Sequence, residues 1–365
     1  MEAREHHFVP QFYLRGFSAD RRRISLFNFM RDVVISGASI RHQCSRRNFY
    51  GFAPSLEKSF ASLEESAARV VTAIRMTNSL PSAVDDRATL TTYLIFQSLR
   101  TTSAARPSAT FSNYYGGLMQ PSDPADRATV EFHEKHPVAL PLSLAPEVAE
   151  FAADLKMHLL VNGTKRSFVT SDAPVVLHNQ YCEGINYRGV LGWSCRGLQV
   201  VLPISPVHLL LWFDRAVYRV GDTHRRVDVT RIDREGDVRS LNALQILNAQ
   251  NNVYFDGPFG TTAAEECRQL RSRRPVSRVT TVETDTVPMG DGGSKGLVHH
   301  YEPMLPHKLS VSVLRIRRRA KRVPLHERAA TSRDGRMRPF SEVGSAPKGA
   351  ERYRVARIIE NPILD

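Results

Sequence analysis

Two kinds of hydrophobic spacing divide the first 260 residues of this chain, and they limit what it can fold into. Between residues 56 and 74, apolar side chains recur at intervals of four and three, which is the spacing of one helical face: Leu56, Phe60, Leu63, Ala67, Val70 and Ile74. After Phe168, short β-rich runs separated by turn residues replace that spacing. Helices first and strands later predict an α+β fold, in which an N-terminal helical part packs on a mainly antiparallel sheet.

Capping and turn residues predict the limits of further elements. These are a hairpin from Ile24 to Ile35, a central helix capped by Asp85 or Asp86, a helix that begins at Pro146, and a helix from Asp237 to Asn252. In the helix at Pro146, the spacing predicts that the inward residues are Val148, Phe151, Leu155 and Leu159.

The charge of the chain is uneven. Fifty Lys and Arg against 37 Asp and Glu give a net charge of +13. Residues 261–365 hold 21 of those bases and 12 of the acids, so most of the excess lies there. We therefore predict a core domain over 1–260 and an Arg-rich, weakly ordered or small accessory segment over 261–365.

This basic segment predicts nucleic acid as an electrostatic partner, because arginine binds phosphate in a bidentate manner. A GC-rich genome that favours arginine codons is the competing explanation. The candidate nucleic-acid-binding residues are the densest basic run of the chain: Arg315, Arg317, Arg318, Arg319, Lys321 and Arg322.

The N-terminus carries the densest motif, HHFVPQFYLRGF, over residues 6–17. Pro10 can begin a short helix that Gly16 ends, with His6 and His7 just before it. Neighbouring residues of an extended strand point to opposite faces, so one histidine is expected to enter a site. A pair that only hydrogen-bonds backbone to hold the terminus is the equal alternative.

This block, with SLEKSFASLEE, FQSLRT, FVTSDAPV, VLPISP and SLNALQILNAQNNVY in that order, resembles the bacterial domain-of-unknown-function family 4238. Members of that family open with a similar HHxxPxxYL block. The resemblance covers about residues 5–256 and leaves out the long 108–143 insert and the 261–365 tail. It implies the extent of the fold and candidate positions, and it implies no reaction.

Three of these candidate positions are charged residues of the predicted helices. Glu57 and Glu64 lie seven residues apart on one face, at about 10.5 Å, so they do not easily share one metal ion. Arg100 follows Gln97 on an inward face and needs a partner there. An ion pair of Glu57 or Glu64 with Arg100 is slightly favoured over a catalytic role.

Asp172 ends the predicted strand at Phe168–Thr170, before Pro174 turns the chain. The end of a strand is a frequent place for a catalytic carboxylate, and a turn-forming aspartate that bonds backbone is the equal alternative.

These residues predict a metal-dependent nuclease or phosphodiesterase acting on nucleic acid, and defence against foreign DNA is one setting for such an enzyme. One of His6 or His7, together with Asp172 and one of Glu57 or Glu64, would bind the ion, which would be Mg²⁺ or Mn²⁺. The second histidine or Gln11 would orient water or phosphate, and Arg100 would face the developing charge. The alternatives are a non-catalytic nucleic-acid- or partner-binding protein and a small-ligand sensor that uses the same polar cleft.

Several classes are not favoured. The chain has no GxxxxGK[ST], no GxGxxG after a strand, no HExxH and no GxSxG, which disfavours P-loop, dinucleotide, zincin and α/β-hydrolase chemistry. Neither a basic-then-apolar leader at the N-terminus nor an apolar run of eighteen residues is present. We therefore expect a cytoplasmic protein with no membrane partner.

Overall fold

A computed structural model describes residues 5–47, 49–50, 54–105, 138–184, 189–221, 228–275, 281–288, 294–301, 304–328 and 332–333, with isolated positions between 127 and 136. Side chains at 54–57, 140, 281–288, 294–301 and 326 lie outside this description. Its helices are α1 (Gln11–Leu14), α2 (Pro54–Thr77), α3 (Val84–Leu99), α4 (Ala139–Ser143), α5 (Ala145–Ala152), α6 (Glu235–Asn248), α7 (Gly260–Leu270) and α8 (Arg318–Lys321). None of the described helices is long and apolar enough to cross a membrane.

The strands of the described residues form two larger sheets and three two-stranded ones. The five-stranded sheet has the order β11 (Val229–Ile232), β5 (Lys156–Asn162), β9 (His208–Phe213), β8 (Gln199–Pro203) and β7 (Val176–His178), and only β11 and β5 run parallel. The four-stranded antiparallel sheet has the order β3 (Val33–Ser39), β2 (Arg23–Asn28), β12 (Asn252–Phe255) and β6 (Thr170–Ser171). The two-stranded pairs are β1 (Glu5–His7) with β4 (Ser45–Arg47), β10 (Tyr218–Val220) with β15 (Leu314–Ile316), and β13 (Thr281–Pro288) with β14 (Ser294–Tyr301).

The five-stranded sheet lies between two layers of helix. Leu210 and Trp212 of β9 pack in one apolar core with α2 and α3, and Leu209 and Leu211 pack in a second core with α6. Successive side chains of a strand point to opposite faces, so β9 is buried on both. The predicted α+β class is confirmed, with the helical N-terminal part on the mainly antiparallel sheet.

Local sequence patterns account for the first elements. The described members of the predicted helical face, Phe60, Ala67, Val70 and Ile74, are buried, and Leu63 is half-buried. The hairpin is also confirmed, since β2 pairs with β3 across a turn in which Asp32 adopts a positive φ of 55°. At the start of α3, in contrast, Ala83 is the N-cap and no side chain caps the helix. Asp85 and Asp86 lie in its first turn instead, where their charge suits the helix dipole.

The helix predicted from Pro146 is wrong beyond its first two turns. It ends at Ala152, and Leu155 and Leu159 lie after it, the latter inside β5. Phe151 is 46 % exposed rather than inward. A strand that is buried on both faces reads as a continuous apolar run, and such a run also satisfies a spacing of three and four.

The segment beyond residue 260 contributes to the same cores. Ala263 and Cys267 of α7 are buried against β2 and β12, and Leu305, Leu309 and Leu314 are buried in the core that contains α6. A polar contact adds to this packing: Asp237, in the first turn of α6, accepts hydrogen bonds from the Ser312 backbone N–H at 2.9 Å and from its hydroxyl at 2.5 Å. The boundary between domains at residue 260 stays a prediction.

Candidate functional sites

The two histidines of the N-terminal motif have different environments. Both lie on β1, and the alternation of that strand buries His6 and leaves His7 half-buried. His6 Nδ1 accepts a hydrogen bond from the Tyr50 backbone N–H at 3.1 Å, and the two rings stack with centroids 5.2 Å apart. His6 therefore holds the terminus in place.

His7 lies at the surface, beside α1. Its Nε2 is 3.0 Å from the Arg41 carbonyl oxygen and 3.4 Å from Gln11 Nε2. Because a carbonyl oxygen only accepts, Nε2 donates to Arg41 and cannot at the same time accept from the Gln11 amide. His7 is the histidine of the pair that can meet a ligand.

The other motif residues mostly build the fold. The Phe8 carbonyl accepts a hydrogen bond from Gln97 Nε2 at 2.9 Å, which joins the N-terminal segment to α3. The Tyr13 hydroxyl bonds Thr170 Oγ1 at 2.7 Å and also the Pro203 carbonyl, and burial raises the pKa of this hydroxyl far above its usual value. Tyr13 therefore connects α1 to β6 and β8.

A buried polar chain leads from the motif to α2. The Arg100 guanidinium, 2 % exposed, donates from Nε and Nη2 to Gln97 Oε1 at 2.9 and 2.7 Å, and from Nη1 to Glu64 Oε1 at 2.6 Å. Glu64 remains 28 % exposed. The expected pairing of Arg100 with one of the two glutamates is confirmed, and it takes place with Glu64.

Motif residues and α2 enclose a surface cleft of about 410 Å³, which we call the signature cleft. Its lining combines an imidazole, an amide, a guanidinium and two carboxylates, from His7, Gln11, Arg15, Glu64 and Glu65. The remaining lining residues are Pro10, Phe12, Ala61 and Ala68. The structure thus brings together His7, Gln11 and Glu64, with Arg100 behind Glu64.

Sequence reasoning did not propose six of the nine lining residues as site residues, and three of these, Phe12, Arg15 and Glu65, have side chains suited to contact a ligand. A signal for one of them was present, because Arg15 lies four residues after Gln11 and its Nη2 donates to Gln11 Oε1 at 3.0 Å. For Phe12 and Glu65 the sequence carries no such signal, since their position depends on how α1 packs against α2.

Asp172 is not among the residues that line the signature cleft. Its buried carboxylate accepts three backbone hydrogen bonds, from Gln250 N at 2.7 Å, Asn251 N at 2.7 Å and Asn252 N at 3.0 Å. Burial raises the pKa of this carboxyl, and the three N–H groups act in the opposite direction. Asp172 therefore holds the turn between α6 and β12.

The predicted metal ligands are not assembled in the part of the chain that the structure describes. There, no group of three or more His, Cys, Asp or Glu side chains is placed to hold a metal ion. His6 and Asp172 are occupied by backbone N–H groups, and Glu64 is occupied by Arg100. Glu57 lies in α2, but its side chain is outside the described residues.

A second feature is an exposed cluster of basic side chains, which we call the basic surface: Arg215, Arg219, Arg315, Arg318, Arg319, Lys321 and Arg322. None of these seven forms an ion pair with a residue that the structure describes, and all are exposed. Arg317, also exposed, has a structural role, because its Nε donates to the Arg215 and Tyr218 carbonyls at 2.8 and 2.9 Å.

The backbone beneath the basic surface is anchored. Leu314 and Ala320 are buried, and β15 pairs with β10 so that Arg315 lies directly opposite Arg219. Like charges at directly opposite positions destabilise a sheet by some tenths of a kcal/mol. The fold therefore keeps a repulsive pair at this surface.

Comparison with known proteins gives a family and no activity. No curated protein and no solved structure matches the chain. Residues 5–257 match a family described as a protein of unknown function, DUF4238, a range that includes every residue of the signature cleft. Within the basic surface, Arg215 and Arg219 lie inside the matched range, and the others follow it. Because the match covers more than half of the chain, this protein belongs to the DUF4238 family.

Proposed function

We propose that this protein binds nucleic acid through the basic surface, without reading its sequence. The observation that carries the proposal is that seven exposed cationic side chains lie on or next to β10, β15 and α8 and form no ion pair with any described residue. A phosphate backbone would relieve the repulsion between Arg219 and Arg315 and would accept paired hydrogen bonds from each guanidinium.

The metal-dependent nuclease expected from the sequence has less support. Asp172 already accepts three N–H groups, and its turn would lose them if the carboxylate bound a metal ion. Binding without cleavage, which the sequence left as the alternative, agrees better with these contacts.

The test measures binding of fluorescein-labelled single-stranded DNA, duplex DNA and RNA by anisotropy from 50 to 300 mM NaCl. For wild type we expect affinity that falls steeply with salt and differs little between sequences. The fall is steep because each phosphate contact makes the slope of log K against log salt more negative by about 0.9. Replacing Arg318, Arg319 and Lys321 together by alanine is expected to reduce the slope by about 2 to 3 and the affinity by about 10- to 100-fold.

The control variant removes the same charge elsewhere. Arg22, Arg31 and Arg46 are exposed and lie outside the basic surface, so their joint replacement by alanine is expected to change affinity by less than about threefold. If the two triple variants bound nucleic acid with equally reduced affinity, the net charge of the protein rather than the basic surface would determine binding. That result would contradict the proposal. Products that form with Mg²⁺ or Mn²⁺ and not with EDTA would favour the nuclease instead.

A further inference from the structure

The signature cleft has two chemically different kinds of lining. The Arg15 guanidinium is exposed and donates a hydrogen bond to Gln11. It forms no ion pair with a residue that the structure describes. The acceptor side consists of the carboxylates of Glu64 and Glu65, beside the His7 imidazole. A ligand that satisfies the whole cleft needs one anionic group and several hydrogen-bond donors.

The Glu64 carboxylate is held in a fixed position. Its Oε1 accepts from Arg100, and Arg100 is in turn held by Gln97, which is fully buried. Gln97 also binds the Phe8 carbonyl in the N-terminal motif, so the same hydrogen-bonded chain positions both sides of the cleft. A carboxylate held in this way loses little freedom when a ligand binds to its second oxygen.

The size and the aromatic residue of the cleft narrow the class of ligand. A volume of about 410 Å³ suits a small molecule or one unit of a polymer and is too small for a duplex. Phe12 packs against Tyr93, with centroids 5.5 Å apart, and also lines the cleft. An aromatic ring beside hydrogen-bonding side chains is the usual means by which proteins hold a nucleobase outside a helix.

We infer that the signature cleft binds one nucleotide unit, with its phosphate against Arg15 and a donor-bearing base edge against Glu65 and Glu64. Guanine suits these carboxylates best, because its Watson–Crick edge offers adjacent N–H donors, whereas uracil offers one donor between two acceptors. The nucleotide is either free or the end of a strand. The inference does not rest on the basic surface, because the two sets share no residue.

The test is calorimetric titration of the full chain with GMP, UMP, inorganic phosphate and a 5′-phosphorylated hexanucleotide that begins with guanosine. We expect wild type to bind GMP with a dissociation constant below about 1 mM and UMP at least about fivefold more weakly. Arg15→Ala is expected to weaken GMP binding by about 10-fold or more, through loss of a charge-assisted contact. Glu65→Gln is expected to abolish the preference for GMP over UMP.

Both substitutions are at exposed positions, so they leave the core intact, and matched controls are Arg22→Ala and Glu147→Gln, which are exposed outside the cleft. No binding of GMP by wild type, together with no binding of the hexanucleotide by the triple variant of the basic surface, at about 1 mM would overturn the inference. GMP binding by both cleft variants at wild-type affinity would overturn it as well. Measured in the Arg318, Arg319 and Lys321 triple alanine variant, tighter binding of the hexanucleotide than of GMP identifies the strand end as the ligand, and the reverse identifies the free nucleotide. The triple variant of the basic surface is expected to bind GMP as wild type does, so the failure of one proposal is distinguishable from failure of the other.

Discussion

Replacing Asp172 by alanine is expected to lower the free energy of unfolding by about 3 to 5 kcal/mol, which is a large part of the stability of an ordinary domain. The change leaves the backbone N–H groups of three half-buried residues, Gln250, Asn251 and Asn252, without their acceptor. Each unsatisfied buried donor costs about 1 to 3 kcal/mol. Urea unfolding followed by tryptophan fluorescence measures this loss.

The control is Asp233→Ala, which removes an exposed carboxylate that forms an ion pair with exposed Arg231. We expect it to change the free energy of unfolding by less than about 0.5 kcal/mol. If Asp172→Ala were as stable as wild type and had lost an activity, Asp172 would be a functional carboxylate rather than the acceptor that holds the turn.

Arg100→Met is expected to cost about 3 to 5 kcal/mol of stability, because removing one partner of a buried ion pair leaves the other uncompensated. Gln97 Oε1 loses two hydrogen bonds and Glu64 loses its cation. The guanidinium also lies over the rings of Phe60 and Tyr93, 5.4 and 6.0 Å from their centroids. Methionine replaces the apolar stem and none of these polar contacts.

Two further variants separate the ion pair from general packing. In Arg100→Met/Glu64→Leu the unpaired carboxylate is gone, so we expect part of the stability to return. Arg69→Met breaks an exposed ion pair with Asp86, and we expect it to lower the free energy of unfolding by less than about 1 kcal/mol. A double variant less stable than Arg100→Met alone would contradict the account of this network.

Local patterns were enough to predict the parts of the fold that depend on neighbours in sequence. The buried face of α2 follows from residues three and four apart, and the β2–β3 hairpin follows from its turn at Asp32. The same reasoning was wrong for Leu155, which lies between α5 and β5, and for Leu159. The five-stranded sheet buries both faces of β5 and so removes the alternation that marks a strand.

The candidate sites depend on contacts between distant residues, so the sequence predicted them less well. It indicated His7, Gln11 and Glu64 as site candidates, but nothing local shows that Glu64 lies beside α1. The Asp172 carboxylate accepts from backbone N–H groups that are 78 to 80 residues away in sequence, so the sequence could suggest a turn role without identifying the turn. The basic run at 315–322 is visible in the sequence, whereas its pairing with Arg219 is a property of the fold.

The most direct test of the account compares two neighbouring alanine variants in one measurement, the free energy of unfolding in urea. We expect His6→Ala to lose about 2 to 3 kcal/mol, because it removes a buried ring stacked on Tyr50 and the acceptor of the Tyr50 N–H. We expect His7→Ala to lose no more than about 1 kcal/mol, since that side chain is half-buried and lines the signature cleft. A larger loss for His7→Ala than for His6→Ala would contradict the division of the motif into one residue that holds the fold and one that faces a ligand.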